Sequence, residues 1–170
     1  MLMLREWETF FFIVGSSAAA LTGLQFVVIA LGAQANITHD QEAVEAFGTP
    51  NIVHFCAVLT IAALMTVPGF TASALATTLV VFGLIGVVYV TTVALRARRQ
   101  TGYEPVLEDW LWHACFPMMS YAALLITGIA TYHHLGGALY FVAALTMILL
   151  FIGIHNAWDS AVYISTRGRE

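Results

Sequence analysis

Lysine is absent from this chain, and charge of either sign is scarce. All six basic residues are arginine, ten residues are acidic, and charged residues fill 9% of the 170 positions. A soluble domain carries roughly 25%. The net charge of −4 leaves no basic surface, so no nucleic-acid partner is expected. The two cysteines, Cys56 and Cys115, sit inside apolar runs and read as free thiols rather than a secretory disulfide. No phosphate-cradling glycine loop, nucleophile elbow or zinc-protease helix motif occurs, which argues against an enzyme acting on soluble substrates. The opening "MLMLREWETF" lacks a basic n-region and a small-residue cleavage site. The apolar run behind it is too long for a signal peptide and is expected to stay as a first membrane helix.

What the chain has instead is hydrocarbon. Hydrophobic residues make up 60% of it, and the mean hydropathy is +0.85. A globule of this size cannot hide that much apolar surface in its own core, so lipid is the expected solvent. A membrane helix needs roughly 20 apolar residues. Five runs qualify, over about 8–33, 51–67, 71–95, 108–130 and 137–163. Pro68-Gly69 breaks the second from the third. One straight helix through both would be roughly 66 Å long, twice the hydrocarbon thickness. A tight helical hairpin is expected there. The fold class is therefore all-α, a single domain of five transmembrane helices over residues 1–170.

Arginine sets the orientation. Arg96, Arg98 and Arg99 follow the third run, and Arg167 and Arg169 follow the fifth, so both ends are expected in the cytoplasm. An odd number of spans then puts the N-terminus outside. Arg5 dissents, but Glu6 and Glu8 stand beside it. The acidic 34–50 stretch becomes a cytoplasmic loop with room for a short surface helix. Trp7 marks the outer interface and Trp110, Trp112, Trp158 and Tyr163 the inner one.

The segments "HFCAVLTIAALMTVPG" and "HACFPMMSYAALLITG" echo each other: both begin His-x-Cys and both reach Gly fifteen residues later. Ile85-Gly86 and Ile152-Gly153 repeat a pair further on. The echo fits a parallel duplication of spans two–three and four–five, and it fits coincidence in an alanine- and leucine-rich chain as well. The opening "WETFFFIVGSSAAALTGLQFVVIAL", the "VP" after the second span and the "NAW" near the end resemble small uncharacterised bacterial five-helix membrane proteins. That resemblance runs over most of the chain. It implies the span count and a multi-pass location in the bacterial inner membrane, and it implies no chemistry.

Within "FIGIHNAWDSAVYI", His155 and Asp159 lie four apart on one helical face, which Tyr163 continues and Asn156 and Ser160 flank. Ionisable residues inside a membrane are costly and face a bundle interior or a wet cavity; a headgroup-wetted Asp159 with His155 bridging two helices explains the stripe too. His54, His113 and His155 fall roughly 6, 8 and 12 Å inside the same leaflet, counted along their spans. Gln25 of the first span lies within a turn or two of that level. Such a layer can relay protons or hold a permeating ion. It can instead bind a transition metal, with Asp159 and a thiolate helping, or ligate haem between two histidines. The His-x-Cys pairs themselves are poor chelates, because residues two apart on a helix diverge. Pro117 should kink the fourth span or free a carbonyl near His113.

Gly15, Ala19 and Gly23 recur every four residues on the first span, a spacing that suits close helix packing within the bundle or a homo-oligomer seam. The leading functional expectation is a small channel or transporter subunit with an ion or proton site at His54, His113, His155 and Asp159, supported by Gln25, Asn156 and Tyr163. Two other classes stay open: a metal- or haem-binding redox or sensor protein, and a non-catalytic accessory subunit of a membrane complex. Five short-looped helices leave one chain little room for a path, so homo-oligomerisation accompanies the first.

Overall fold

A computed structural model describes residues 2–34, 41–99, 106–133 and 135–167, with side chains over 4–31, 49–98, 106–133 and 137–162. Among the described residues every regular element is helical. A short α1 (Leu2–Arg5) leads into α2 (Glu8–Gln34). Then come α3 (Gln41–Met65), α4 (Ala72–Arg99) and α5 (Leu107–Trp110). A π-helical turn (Leu111–Cys115) joins α5 to α6 (Phe116–Thr131), and α7 (Leu135–Arg167) follows.

Four stretches are long and apolar enough to cross a membrane: Glu8–Leu31, Ala72–Arg98, Leu107–Thr131 and Gly137–Val162. The apolar part of α3, Thr49–Met65, is shorter. Its backbone nevertheless stays helical back to Gln41, through Pro50 and much of the stretch expected as a loop. That stretch's residues 35–40 lie outside the described residues. Helices α3 and α4 part at a turn in which Gly69 takes a φ of 76°. This left-handed conformation suits glycine, and Pro68 before it cannot donate to a helical hydrogen bond.

The tight α3–α4 hairpin expected from the sequence needs correction. The turn is short, but α4 leaves α3 and packs mainly against α6, while α3 packs against α2 and α7. Backbone approach explains the choice. A Cβ on Gly83 would stand 2.5 Å from the Leu125 nitrogen, and one on Gly128 would stand 2.7 Å from the Val80 nitrogen. Tyr121 of α6 lays its ring directly over Gly86. Side-chain-free positions on both helices let α4 and α6 touch along their backbones, where dispersion rewards close contact.

The core runs between the helices: Phe11, Val14 and Ala18 of α2, Phe55, Val58 and Ile61 of α3, Leu75 and Leu79 of α4, Leu124 of α6, and Leu139, Val142 and Leu149 of α7 are all buried. Large apolar side chains also face outward on α2, α4, α6 and α7, including Phe12, Leu24, Ile85, Met119, Phe141 and Phe151. An outward face this apolar is the surface that a lipid bilayer accepts. At one end of the bundle Trp7 meets Tyr140 edge to face, 4.9 Å between centroids. At the other, the Arg98 guanidinium lies 5.5 Å from the Trp110 ring.

Candidate functional site

The buried amides and imidazole, Gln25, Asn51, His54 and Asn156, lie toward the Arg98–Trp110 end, while the buried threonines Thr127, Thr131 and Thr146 lie elsewhere. On α3, one turn apart, Asn51 and His54 are both fully buried. His54 Nδ1 and the Tyr121 hydroxyl of α6 are hydrogen-bonded at 2.9 Å, the hydroxyl donating when Nδ1 is bare and accepting when it carries the proton. Asn51 Nδ2 reaches Ser160 Oγ of α7 at 3.5 Å, and that hydroxyl donates to the Asn156 carbonyl. Asn156, also fully buried, donates from Nδ2 to the Trp112 carbonyl at 3.3 Å.

That last bond lands on the π turn, and the reason the turn exists is Pro117. Proline has no N–H to return to His113, and its ring would crowd the carbonyl there. The helix opens by one residue instead: the Phe116 N–H bonds to the Leu111 carbonyl, five back. The Trp112 carbonyl is then available to Asn156, and His113 sits on the widened turn. The kink or freed carbonyl expected at Pro117 takes this form.

His113 is half-buried. It is close enough to His54 to interact with it electrostatically, and it is within the same reach of Asp109, Asp159 and His155. His155 stacks on the Trp112 indole at 3.8 Å between centroids, and its Nε2 lies 3.2 Å from Asp159 Oδ2. The side chains of His155 and Asp159 are 26% and 51% exposed, so this pair is the outer edge of the layer, not its centre. Among the described residues, the buried Asn51 Oδ1, His54 Nε2 and Asn156 Oδ1 have no hydrogen-bond partner. Leaving such an atom unpaired costs about 1–3 kcal/mol, so the two amide oxygens are places where a small polar donor gains, and His54 Nε2 one where a proton or polar species does.

Of the expected layer, His54 stands on α3, His113 on the π turn and His155 on α7. Gln25 is buried at a similar level but faces a different seam, between α2 and α7. The Tyr163 side chain lies outside the described residues. Of the small-residue series on α2, only Gly15 meets another helix, with 3.0 Å from its would-be Cβ to the Ala62 methyl. Ala19 and Gly23 face outward. Cys56 and Cys115 are free and exposed, each turned away from its neighbouring histidine as a two-residue offset on a helix requires. Among the described residues no three His, Cys, Asp or Glu side chains converge to hold a metal ion.

Sequence reasoning did not single out Asn51 or Tyr121. Asn51 carries a usable signal, an amide in the first apolar turn after Pro50. Tyr121 carries none, since a tyrosine in an apolar run reads equally as core filler. No family model, no curated protein and no solved structure matches the chain.

Proposed function

We propose that this chain is a small membrane transport subunit, a channel or transporter, whose operating site is the buried His54–Tyr121 pair acting on protons. The observation that carries the reading is the placement of His54. It is an imidazole enclosed at 0% exposure in an apolar bundle, hydrogen-bonded on one nitrogen and unpartnered on the other. Such a group takes up or yields a proton without moving the backbone. His113 is within electrostatic reach of both His54 and the partly exposed His155–Asp159 pair, which supports proton exchange between the buried imidazole and the Arg98–Trp110 end. A proton needs no wide pore, which suits a bundle this tightly packed.

In this reading the five helices span the bacterial inner membrane with the N-terminus outside, and the polar layer lies in the cytoplasmic leaflet beside the arginine-rich ends. Copies associate in the bilayer, with the outward small-residue face of α2 supplying a contact surface. Protons are favoured over a coordinated metal because the described donors do not gather in threes.

The test is proton flux into proteoliposomes carrying a trapped pH-sensitive dye, under an imposed pH gradient. Wild-type protein should dissipate the gradient faster than empty vesicles, and His54→Phe should abolish the difference while the protein remains folded by circular dichroism. Flux that is indistinguishable between the two, or absent from the wild type at every pH and potential, would defeat the proposal.

A further inference from the structure

The register of α3 against α7 brings three unpaired polar atoms into one layer of the bundle. A Cβ on Gly153 would stand 2.5 Å from the Phe55 ring, and Asn51 reaches Ser160, so residues 55 and 51 oppose 153 and 160 in antiparallel order. Asn156 then faces the step between Asn51 and His54. Residues three and four apart on a helix are neighbours, so Gly153, Asn156 and Ser160 share one face of α7, and Asn51 shares a face of α3 with His54 and Phe55. Asn51, His54 and Asn156 are each 0% exposed. Asn51 Oδ1, His54 Nε2 and Asn156 Oδ1 are the atoms that no described residue satisfies.

The partners of each group fix what the free atom is. Ser160 donates its proton to the Asn156 carbonyl, so toward Asn51 its oxygen only accepts; Nδ2 turns to it and Oδ1 stays free. The Trp112 carbonyl also only accepts, so Asn156 gives it Nδ2 and keeps Oδ1. Among the described residues the Tyr121 hydroxyl has one hydrogen-bond partner, His54 Nδ1. Were that nitrogen to carry the proton, the hydroxyl would accept and its own hydrogen would be buried without an acceptor. The tautomer that satisfies Tyr121 has Nδ1 bare and the proton on Nε2. The layer therefore presents two acceptors, the amide oxygens, and one donor, Nε2–H. A metal ion or an ammonium ion would face that N–H. A water molecule accepts from it and donates to both oxygens, and about three hydrogen bonds is what a buried water makes.

We infer that His54, Asn51 and Asn156 form a binding site for a single water molecule, with the two asparagines as positioning residues that hold it against His54 Nε2. One guest then satisfies three polar atoms at once. It also sets the imidazole between two hydrogen bonds, the Tyr121 O–H into Nδ1 and the Nε2–H out to water, so neither ring nitrogen is bare of a partner. The Nε2 proton gains an exchange partner inside the apolar bundle. That use of the water rests on the reading of His54 as a proton site; the site itself does not.

The experiment is NMR of the full-length protein in nanodiscs, with isotope-labelled histidine and no pH gradient. His54→Phe assigns the His54 signals by their loss. The expected spectrum has Nε2 protonated and Nδ1 bare, with a through-space cross-peak between the Nε2–H and water. Asn51→Leu, a change close in size, should lose that cross-peak while circular dichroism shows the helices retained, and Asn156→Leu should do the same. Protonation on Nδ1, or an Nε2–H without contact to water, overturns the site from the wild-type spectrum alone, whether or not the variants fold. A water cross-peak of unchanged strength in folded Asn51→Leu overturns it too. A water contact in a protein that carries no proton flux supports the site and defeats only its use in transport, so the two readings fail separately.

Discussion

Tyr121 serves two helices at once: its ring covers Gly86 of α4 and its hydroxyl holds His54 of α3 at 2.9 Å. The seam that binds α4 to α6 and the hydrogen bond that orients the buried imidazole therefore share one side chain.

Tyr121→Phe separates the two roles. The ring still covers Gly86, but His54, fully buried, loses its partner. We expect destabilisation of about 1–3 kcal/mol, seen as a lower midpoint of thermal unfolding in detergent, together with reduced proton flux. An unchanged midpoint would mean that the hydrogen bond is not formed.

Gly86→Ala attacks the same residue from the other side. The added methyl occupies the space of the Tyr121 ring, and the ring cannot yield without dragging the hydroxyl off His54. Overpacking of this kind costs about 1–3 kcal/mol. The same change at Gly23, which has nothing within 4 Å, should leave the unfolding midpoint of the isolated chain where it is.

Pro117→Ala restores an N–H, allowing residue 117 to bond the His113 carbonyl and the π turn to close into ordinary α-helix. Closing it turns Leu111–Cys115 by about 100°, the angle of one residue on a helix with 3.6 per turn. His113 then leaves its place beside His54. The expected outcome is a stable protein with diminished flux, and a slowly exchanging amide at residue 117 in hydrogen-exchange NMR. A rapidly exchanging amide would show that the turn persists without proline.

Topology is checked by single cysteines in a Cys56→Ser, Cys115→Ser background. A reagent that cannot cross the membrane should label a cysteine at position 2 in intact cells and should spare one at position 168 until the cells are opened. Labelling of both from outside would rule out an odd number of spans.

The helix bounds were legible because a long apolar run has one cheap conformation in lipid: the runs beginning near residues 8, 71 and 137 correspond to α2, α4 and α7. The break at Pro68-Gly69 was legible for a similar reason, since backbone chemistry alone dictates it. Partner choice was not. Gly83, Gly86 and Gly128 look no different from Gly15 and Gly23 when read singly, and close approach depends on what the opposite helix presents. Counting residues gives a depth along each span, because rise per residue is constant, but not which way a side chain faces. That His54 would be enclosed and His155 left at the edge depended on α3 lying inside the bundle, which no periodicity in α3 announces.

That inner position bears on how the protein is made. The apolar part of α3 is shorter than the other four stretches and carries Asn51 and His54, so by itself it is a weak candidate to leave the translocation machinery for lipid. Its burial faces are supplied by α2, already synthesised, and by α7, the last helix to emerge. Helix α2 must therefore hold α3 through most of synthesis, and the polar layer closes only when the final helix arrives. A chain truncated before α7 would expose Asn51 and His54 to lipid, which marks it for the quality-control proteases of the membrane.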